Sequence, residues 1–412
     1  MLMICILSLA ALCLGLAILR GFTPFYKRIF PAVIVCWLGH ILGTFAYSLV
    51  GSDSHSYYFP LATPGINQTF KSPFGSGFIL NVVWYVRLFL TGDSFLATLF
   101  FFGMLGFLGS ILWYCLYLKI ADELNMTRAR ILAVPAWVIL CWPSILFFTA
   151  GMKDAWPFLF LPLFFICLFS LKTSTSKLFS LGLLVLVGLM ILMPRPYLIL
   201  IIVFAWYLTF LAQGKNPRTY WVKIGLSFLF VFIFISLAQH IVSITVGGNI
   251  DRRLGHASNF GQVASQAVLQ QQYLSVGTSF PMSTNPALLP LLLPYSFLMN
   301  LCFPLFIFSN NLQSVLQSFE NLFLIYLLFF SWKKRKIFAA RAKNNSAVRL
   351  MFFYFVVGMS FLALINTNLG LSTREKAMYL PAFLIVFSLA YGLYCQEKIE
   401  YLRKKEGKRC VK

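Results

Sequence analysis

The groups in this sequence that could move a proton or hold an anion are few, and they fall into small clusters. Asp53 stands in Gly51-Ser52-Asp53-Ser54-His55-Ser56-Tyr57-Tyr58, a polar loop directly after a long apolar run. A carboxylate so placed suits removal of a proton from a hydroxyl. With His55 it can also hold a divalent metal such as Mg or Mn, although one Asp-x-His pair is a low-specificity metal signal. Lys153 and Asp154 are adjacent in a short turn after a Trp-Pro-Ser run. Lys153 suits contact with a phosphate there, and Asp154 suits orienting a sugar hydroxyl.

Arg195 lies between two prolines in an apolar stretch, where a guanidinium needs an anion or a water-filled cavity nearby. Arg252 and Arg253 with His256 form one further basic cluster, and Arg374 with Lys376 another. Two such clusters converging on one cavity would suit a pyrophosphate group. Each feature also has a plainer reading. Asp53 can cap a helix, Lys153 and Asp154 can neutralise each other, and the remaining cations can be solvated loop charges or headgroup anchors.

The elements that must position these groups are membrane helices. Hydrophobic residues make up 60% of the chain and charged residues 11%, a balance that a water-soluble domain could not solvate. The 412 residues form a single transmembrane domain, an all-α polytopic bundle of about eleven spans. The apolar runs lie near 1–19, 30–50, 95–118, 131–149, 154–171, 178–193, 197–213, 223–246, 319–332, 349–366 and 379–395. Two further segments have both ends on one side and read as interfacial or re-entrant helices: 76–92, with Arg87 snorkelling to headgroups, and the proline-broken 287–308.

Charge sets the orientation. Of the 33 Lys and Arg residues, 25 fall on one set of loops and eight on the other, which predicts the amino terminus outside and the carboxyl terminus inside. The exterior parts are then a first loop with its interfacial helix at 51–94 and a long loop at 247–318, while 396–412 is a basic cytoplasmic tail. All the candidate residues above lie outside. The exterior acids are Asp53, Asp93, Asp154, Asp251, Glu320 and Glu375, so a general base working there comes from this set or from a histidine. The net charge of +22 belongs to topology rather than to nucleic-acid binding. Cys5, Cys13, Cys36, Cys115, Cys141, Cys167, Cys302 and Cys395 lie in apolar runs without metal-ligand spacing and read as small core hydrophobes.

An acid after an early outward span, an interfacial helix, Gly92-Asp93-Ser94 opening a long span, and a Pro-Ser run leading to the Lys153-Asp154 turn together resemble the membrane module of C-type (GT-C) glycosyltransferases. The resemblance covers roughly 30–215 and implies transfer of sugar from a polyprenyl-phosphate carrier, with Asp53 as base and Asp154 as second acid. The sequence has Asp53-Ser54-His55 where that family often has an acidic pair. In layout the chain is also similar to bacterial O-antigen and exopolysaccharide repeat-unit polymerases. That likeness implies that Arg195, Arg252, Arg253 and Arg374 engage a carrier pyrophosphate. Both likenesses imply a polyprenyl-linked sugar donor, a glycan or lipid-linked acceptor and a bacterial inner membrane. A lipid-linked oligosaccharide flippase is the rival reading. It ranks lower because no internal repeat or buried charged pair is evident and His240 is the titratable group placed well inside a predicted span.

Overall fold

The computed structural model describes residues 2–49, 58, 74–126, 129–171, 176–212, 289–303, 305, 312–336, 338, 345–365 and 374–409. Among these nearly all are helical and none lies in a strand. The chain begins with α1 (Leu2–Phe22) and α2 (Tyr26–Leu49). A short helix follows, α3 (Ser76–Val86), whose end relaxes into a π-helical turn at Arg87–Thr91. The long α4 (Phe95–Glu123) comes next, then α5 (Ala129–Leu140), α6 (Pro143–Phe148) and α7 (Met152–Ser170). After these stand α8 (Lys177–Leu192), α9 (Pro196–Leu211), α10 (Leu289–Cys302), α11 (Leu312–Lys333), α12 (Ser346–Ile365) and α13 (Leu380–Arg409).

Among the described residues six helices are long and apolar enough to cross a membrane: α1, α2, α4, α7, α12 and the Leu380–Leu402 part of α13. The chain is therefore a helical protein of membrane type. The expected span at 223–246 and most of the expected exterior loops, including 247–286, lie outside the described residues.

Helix α4 is the axis of the bundle. Leu99, Phe100, Phe102, Phe107, Ile111, Trp113, Tyr114, Tyr117 and Ile120 are all withdrawn from the surface, so it is enclosed on every side rather than along one stripe. Ser94 caps it by accepting from the Ala97 amide at 3.2 Å. Backbones approach it closely where it carries glycine. A Cβ on Gly106 would overlap the Thr149 carbonyl, and on α2 a Cβ on Gly43 would stand 2.7 Å from the Leu146 carbonyl oxygen. Small residues at such crossings let membrane helices come together without large side chains between them.

The expected continuous span at 131–149 is two helices instead, because the chain turns at Trp142 and Pro143 begins a new helix. Proline can open a helix but cannot give an amide to one already running. The break has a consequence for depth. Thr149 stands beside Gly106, eleven residues into α4, so the corner before α7 is set back roughly 16 Å along α4 from that helix's first residue, at about 1.5 Å per residue. The turn at 194–196 and the segment at 374–379 meet this recessed helix start.

Two local expectations are revised. Arg87 does not extend into solvent but folds back, pairing with Asp93 at 2.6 Å and lying over the Tyr58 ring at 4.4 Å. The exposed groups of its segment are apolar, among them Tyr85, Leu88 and Phe89. Cys5 and Cys13 are exposed on α1 rather than in the core, whereas Cys36, Cys115 and Cys167 are buried. All eight of the cysteines considered above are free thiols.

Candidate functional site

Three of the sequence clusters meet at one point. Asp154 lies in the first turn of α7, where a carboxylate is favoured by the unpaired amides and the helix dipole. Arg195 is the residue before Pro196, which opens α9, so its backbone is held out of the helical region. Arg374 begins the short turn that leads into α13, a turn closed by the Met378 amide donating to the Glu375 carbonyl at 3.1 Å and the Tyr379 amide to that of Lys376 at 3.0 Å.

The two guanidinium groups grip the same carboxylate. Arg195 donates to Oδ1 of Asp154, and Nε of Arg374 donates to Oδ2. Arg195 also donates to the Tyr197 hydroxyl and lies 3.3 Å from the Glu375 carboxylate. The Tyr197 ring stacks on Phe361 of α12 with centroids 5.4 Å apart, which ties the cluster to a fourth helix. Exposure is graded across the group: 0% for the Asp154 side chain, 4% for Arg195, 13% for Arg374 and 16% for Glu375. Asp154 and Arg195 are thus the floor of the site, and Arg374 with Glu375 its edge. Lys153, half-buried, stands next to Asp154 in the chain.

A second polar cluster adjoins the first through the next residue, Lys376. Its ammonium group donates to Asn321 Oδ1 at 2.9 Å and to the Leu301 carbonyl at 3.2 Å, and it is wholly buried. Burial lowers the pKa of Lys376 from its ordinary value, and the nearby Glu320 opposes that shift. Glu320 on α11 accepts from the Trp142 indole, from the Ser144 amide at 2.8 Å and from the Ser144 hydroxyl at 2.6 Å. The break between α5 and α6 therefore serves a purpose. It exposes an amide and a hydroxyl to a carboxylate that would otherwise be buried in an apolar helix without donors.

The structure brings Asp154, Arg195 and Arg374 into contact; Lys153 adjoins Asp154 in the chain, and the Lys376 ammonium lies in the second cluster with Asn321 and the Leu301 carbonyl. Asp53, His55, Arg252, Arg253 and His256 lie outside the described residues. Among the described residues no three of His, Cys, Asp or Glu gather as a metal site. The expectation that no buried charged pair exists is overturned: Asp154 with Arg195 is one. His40, buried in α2 and within 3.2 Å of the Thr149 hydroxyl, and Glu320 in α11 are titratable groups inside helices, while the expected His240 lies outside the described residues.

Sequence reasoning did not select Tyr197, Trp142, Ser144 or Asn321, and it named Glu320 and Glu375 only among the exterior acids. One signal was available. An acid inside an apolar run needs donors from elsewhere, and a proline break such as Trp142-Pro143-Ser144 is one source of unpaired ones.

No family model, curated protein or solved structure matches the chain.

Proposed function

We propose that the chain is a membrane glycosyltransferase that forms a glycosidic bond at the exterior, periplasmic face of a bacterial inner membrane. The donor is a sugar linked to a polyprenyl phosphate or pyrophosphate, the acceptor is a glycan or lipid-linked glycan, and the product belongs to the cell surface. Repeat-unit polymerisation is the same chemistry with an oligosaccharide donor. The bundle has about eleven spans with its amino terminus outside, so the recessed start of α7 opens outward.

The observation that carries the reading is the convergence of Arg195 and Arg374, from segments far apart in the chain, on the buried carboxylate of Asp154. Departure of a polyprenyl phosphate builds negative charge on the leaving oxygens. Arginines fixed in advance in a poorly hydrated recess offset that charge with little rearrangement. Asp154 holds both in place. Lys153 supplies a further cation for the phosphate.

A flippase is the second reading, favoured by the buried Asp154–Arg195 pair itself, since transporters keep such charges within the bundle. One experiment separates the two. Asp53→Asn, Arg195→Ala and Arg195→Lys are expressed at equal abundance, and carrier-linked glycan is followed by gel and by leaflet. Lipid-linked precursor that accumulates on the outer leaflet in Arg195→Ala, with Arg195→Lys only partly restored, supports transfer. Precursor trapped on the inner leaflet supports the flippase, and full activity in all variants rejects both.

A further inference from the structure

We infer that Glu375 is the group that takes the proton from the acceptor hydroxyl, an assignment that rests on the glycosyl-transfer reading. Among the described residues three carboxylates border the two polar clusters. Asp154 is fully enclosed, with a guanidinium on each oxygen. Glu320 is 7% exposed and accepts from the Trp142 indole and from both the amide and hydroxyl of Ser144. Neither can be reached by an arriving hydroxyl without dismantling the network that holds it. Glu375 stands at the open edge, with 16% of its side chain exposed beside Arg374 at 13%.

Its position is also fixed. Arg195 lies 3.3 Å from the carboxylate and anchors it toward the floor, while the Glu375 carbonyl receives the Met378 amide at 3.1 Å. Beyond that turn Ala377, Met378, Tyr379 and Leu380 are all buried, so the segment is seated in the core immediately after it. One turn of chain therefore presents a cation and a carboxylate side by side. A transfer that separates charge needs this pair: a cation where the leaving phosphate develops charge and a base where the attacking hydroxyl loses its proton.

The acceptor oxygen attacks the anomeric carbon of the donor sugar, and its proton passes to a carboxylate oxygen of Glu375. The bond from the anomeric carbon to the phosphate oxygen breaks, and its electron pair leaves with the polyprenyl phosphate or pyrophosphate beside Arg374. Glu375 then returns its proton to water.

The test uses the full-length protein in two assays. The first is transfer of endogenous lipid-linked sugar into glycan in isolated membranes. The second is binding of farnesyl pyrophosphate to the purified protein in nanodiscs, with inorganic pyrophosphate as control. Glu375→Gln is expected to lower the transfer rate by at least about 100-fold while changing farnesyl pyrophosphate affinity by less than about twofold. Arg374→Gln is expected to weaken the probe by about tenfold. Glu375→Asp, which keeps the carboxylate but withdraws it by about 1.5 Å, is expected to recover part of the rate and serves as the folding control, judged by its melting midpoint.

Glu375→Gln at half the wild-type rate or more, while Asp53→Asn abolishes transfer, overturns the assignment and leaves the glycosyl-transfer reading in place. Equal loss of rate and of probe affinity in Glu375→Gln overturns it too, because the residue is then only holding Arg195. If neither Arg195→Ala, Arg374→Gln nor Asp53→Asn changes the glycan, the underlying reading fails instead.

Discussion

At the scale of single residues, the stability of the site rests on Asp154. Its carboxylate is wholly buried between Arg195 and Arg374, and removal of one member of a buried charge pair typically costs about 3–5 kcal/mol, since the partner is left charged and dry. Asp154→Ala is therefore expected to lower the midpoint of thermal or SDS unfolding sharply. The double variant Asp154→Asn/Arg195→Gln, which removes the two charges together, should be more stable than the sum of the two single changes implies, by about 1 kcal/mol or more. Strict additivity in that cycle would mean that the pair does not interact. Residue types marked Asp154, Arg195 and Arg374 in the sequence because charge is rare in an apolar chain. Their meeting was not legible there. Contact between positions 154, 195 and 374 is decided by how helices assemble, and no local spacing records it. Tyr197 was hidden for the same reason, since a tyrosine after Pro196 looks like an ordinary interfacial aromatic until the Arg195 guanidinium is found on its hydroxyl.

At the scale of elements, helices α2, α4 and the α6–α7 corner can meet only where a side chain is missing. Gly43 and Gly106 face backbone carbonyls, which cannot swing aside as a flexible side chain can. Gly43→Ala and Gly106→Ala are each expected to destabilise the protein by about 1–3 kcal/mol, the usual cost of forcing extra volume into a packed contact. Gly182 on α8 meets nothing within 4 Å, so Gly182→Ala should stay within about 0.5 kcal/mol of wild type. Unfolding midpoints of the three variants in one detergent decide the matter, and equal effects would remove the close-approach argument. The helices themselves were readable, because apolar runs of span length leave few alternatives. The expected 76–92, 95–118 and 178–193 lie close to the observed α3 with its π-helical turn, α4 and α8. What escaped was the break inside 131–149. Proline is common within these helices, as at Pro31, Pro157 and Pro162, and the sequence does not say which proline interrupts and which is absorbed.

At the scale of the whole molecule, the proposed chemistry depends on which side of the membrane the recessed start of α7 faces. Orientation was inferred from the bias of 25 to eight Lys and Arg residues, a property of the whole chain that no single helix carries. It is tested at positions where a new thiol is tolerated and accessible. Asp93 has a side chain 95% exposed and pairs with Arg87 at the surface, so Asp93→Cys should cost little. Lys177 at the start of α8 and Arg335 just beyond α11 are also exposed, at the ends expected inside. With the nine native cysteines replaced by serine, a membrane-impermeant maleimide should label Asp93→Cys in intact spheroplasts and label Lys177→Cys and Arg335→Cys only after permeabilisation. The reverse pattern would place Arg195, Arg374 and Glu375 toward the cytoplasm, where activated nucleotide sugars are the expected donors, and would exclude a lipid-linked donor taken from the outer leaflet. Labelling of all three from outside would mean that the segment between residues 93 and 177 crosses an even number of times, and the course of α4, α5 and α7 would then have to be redrawn.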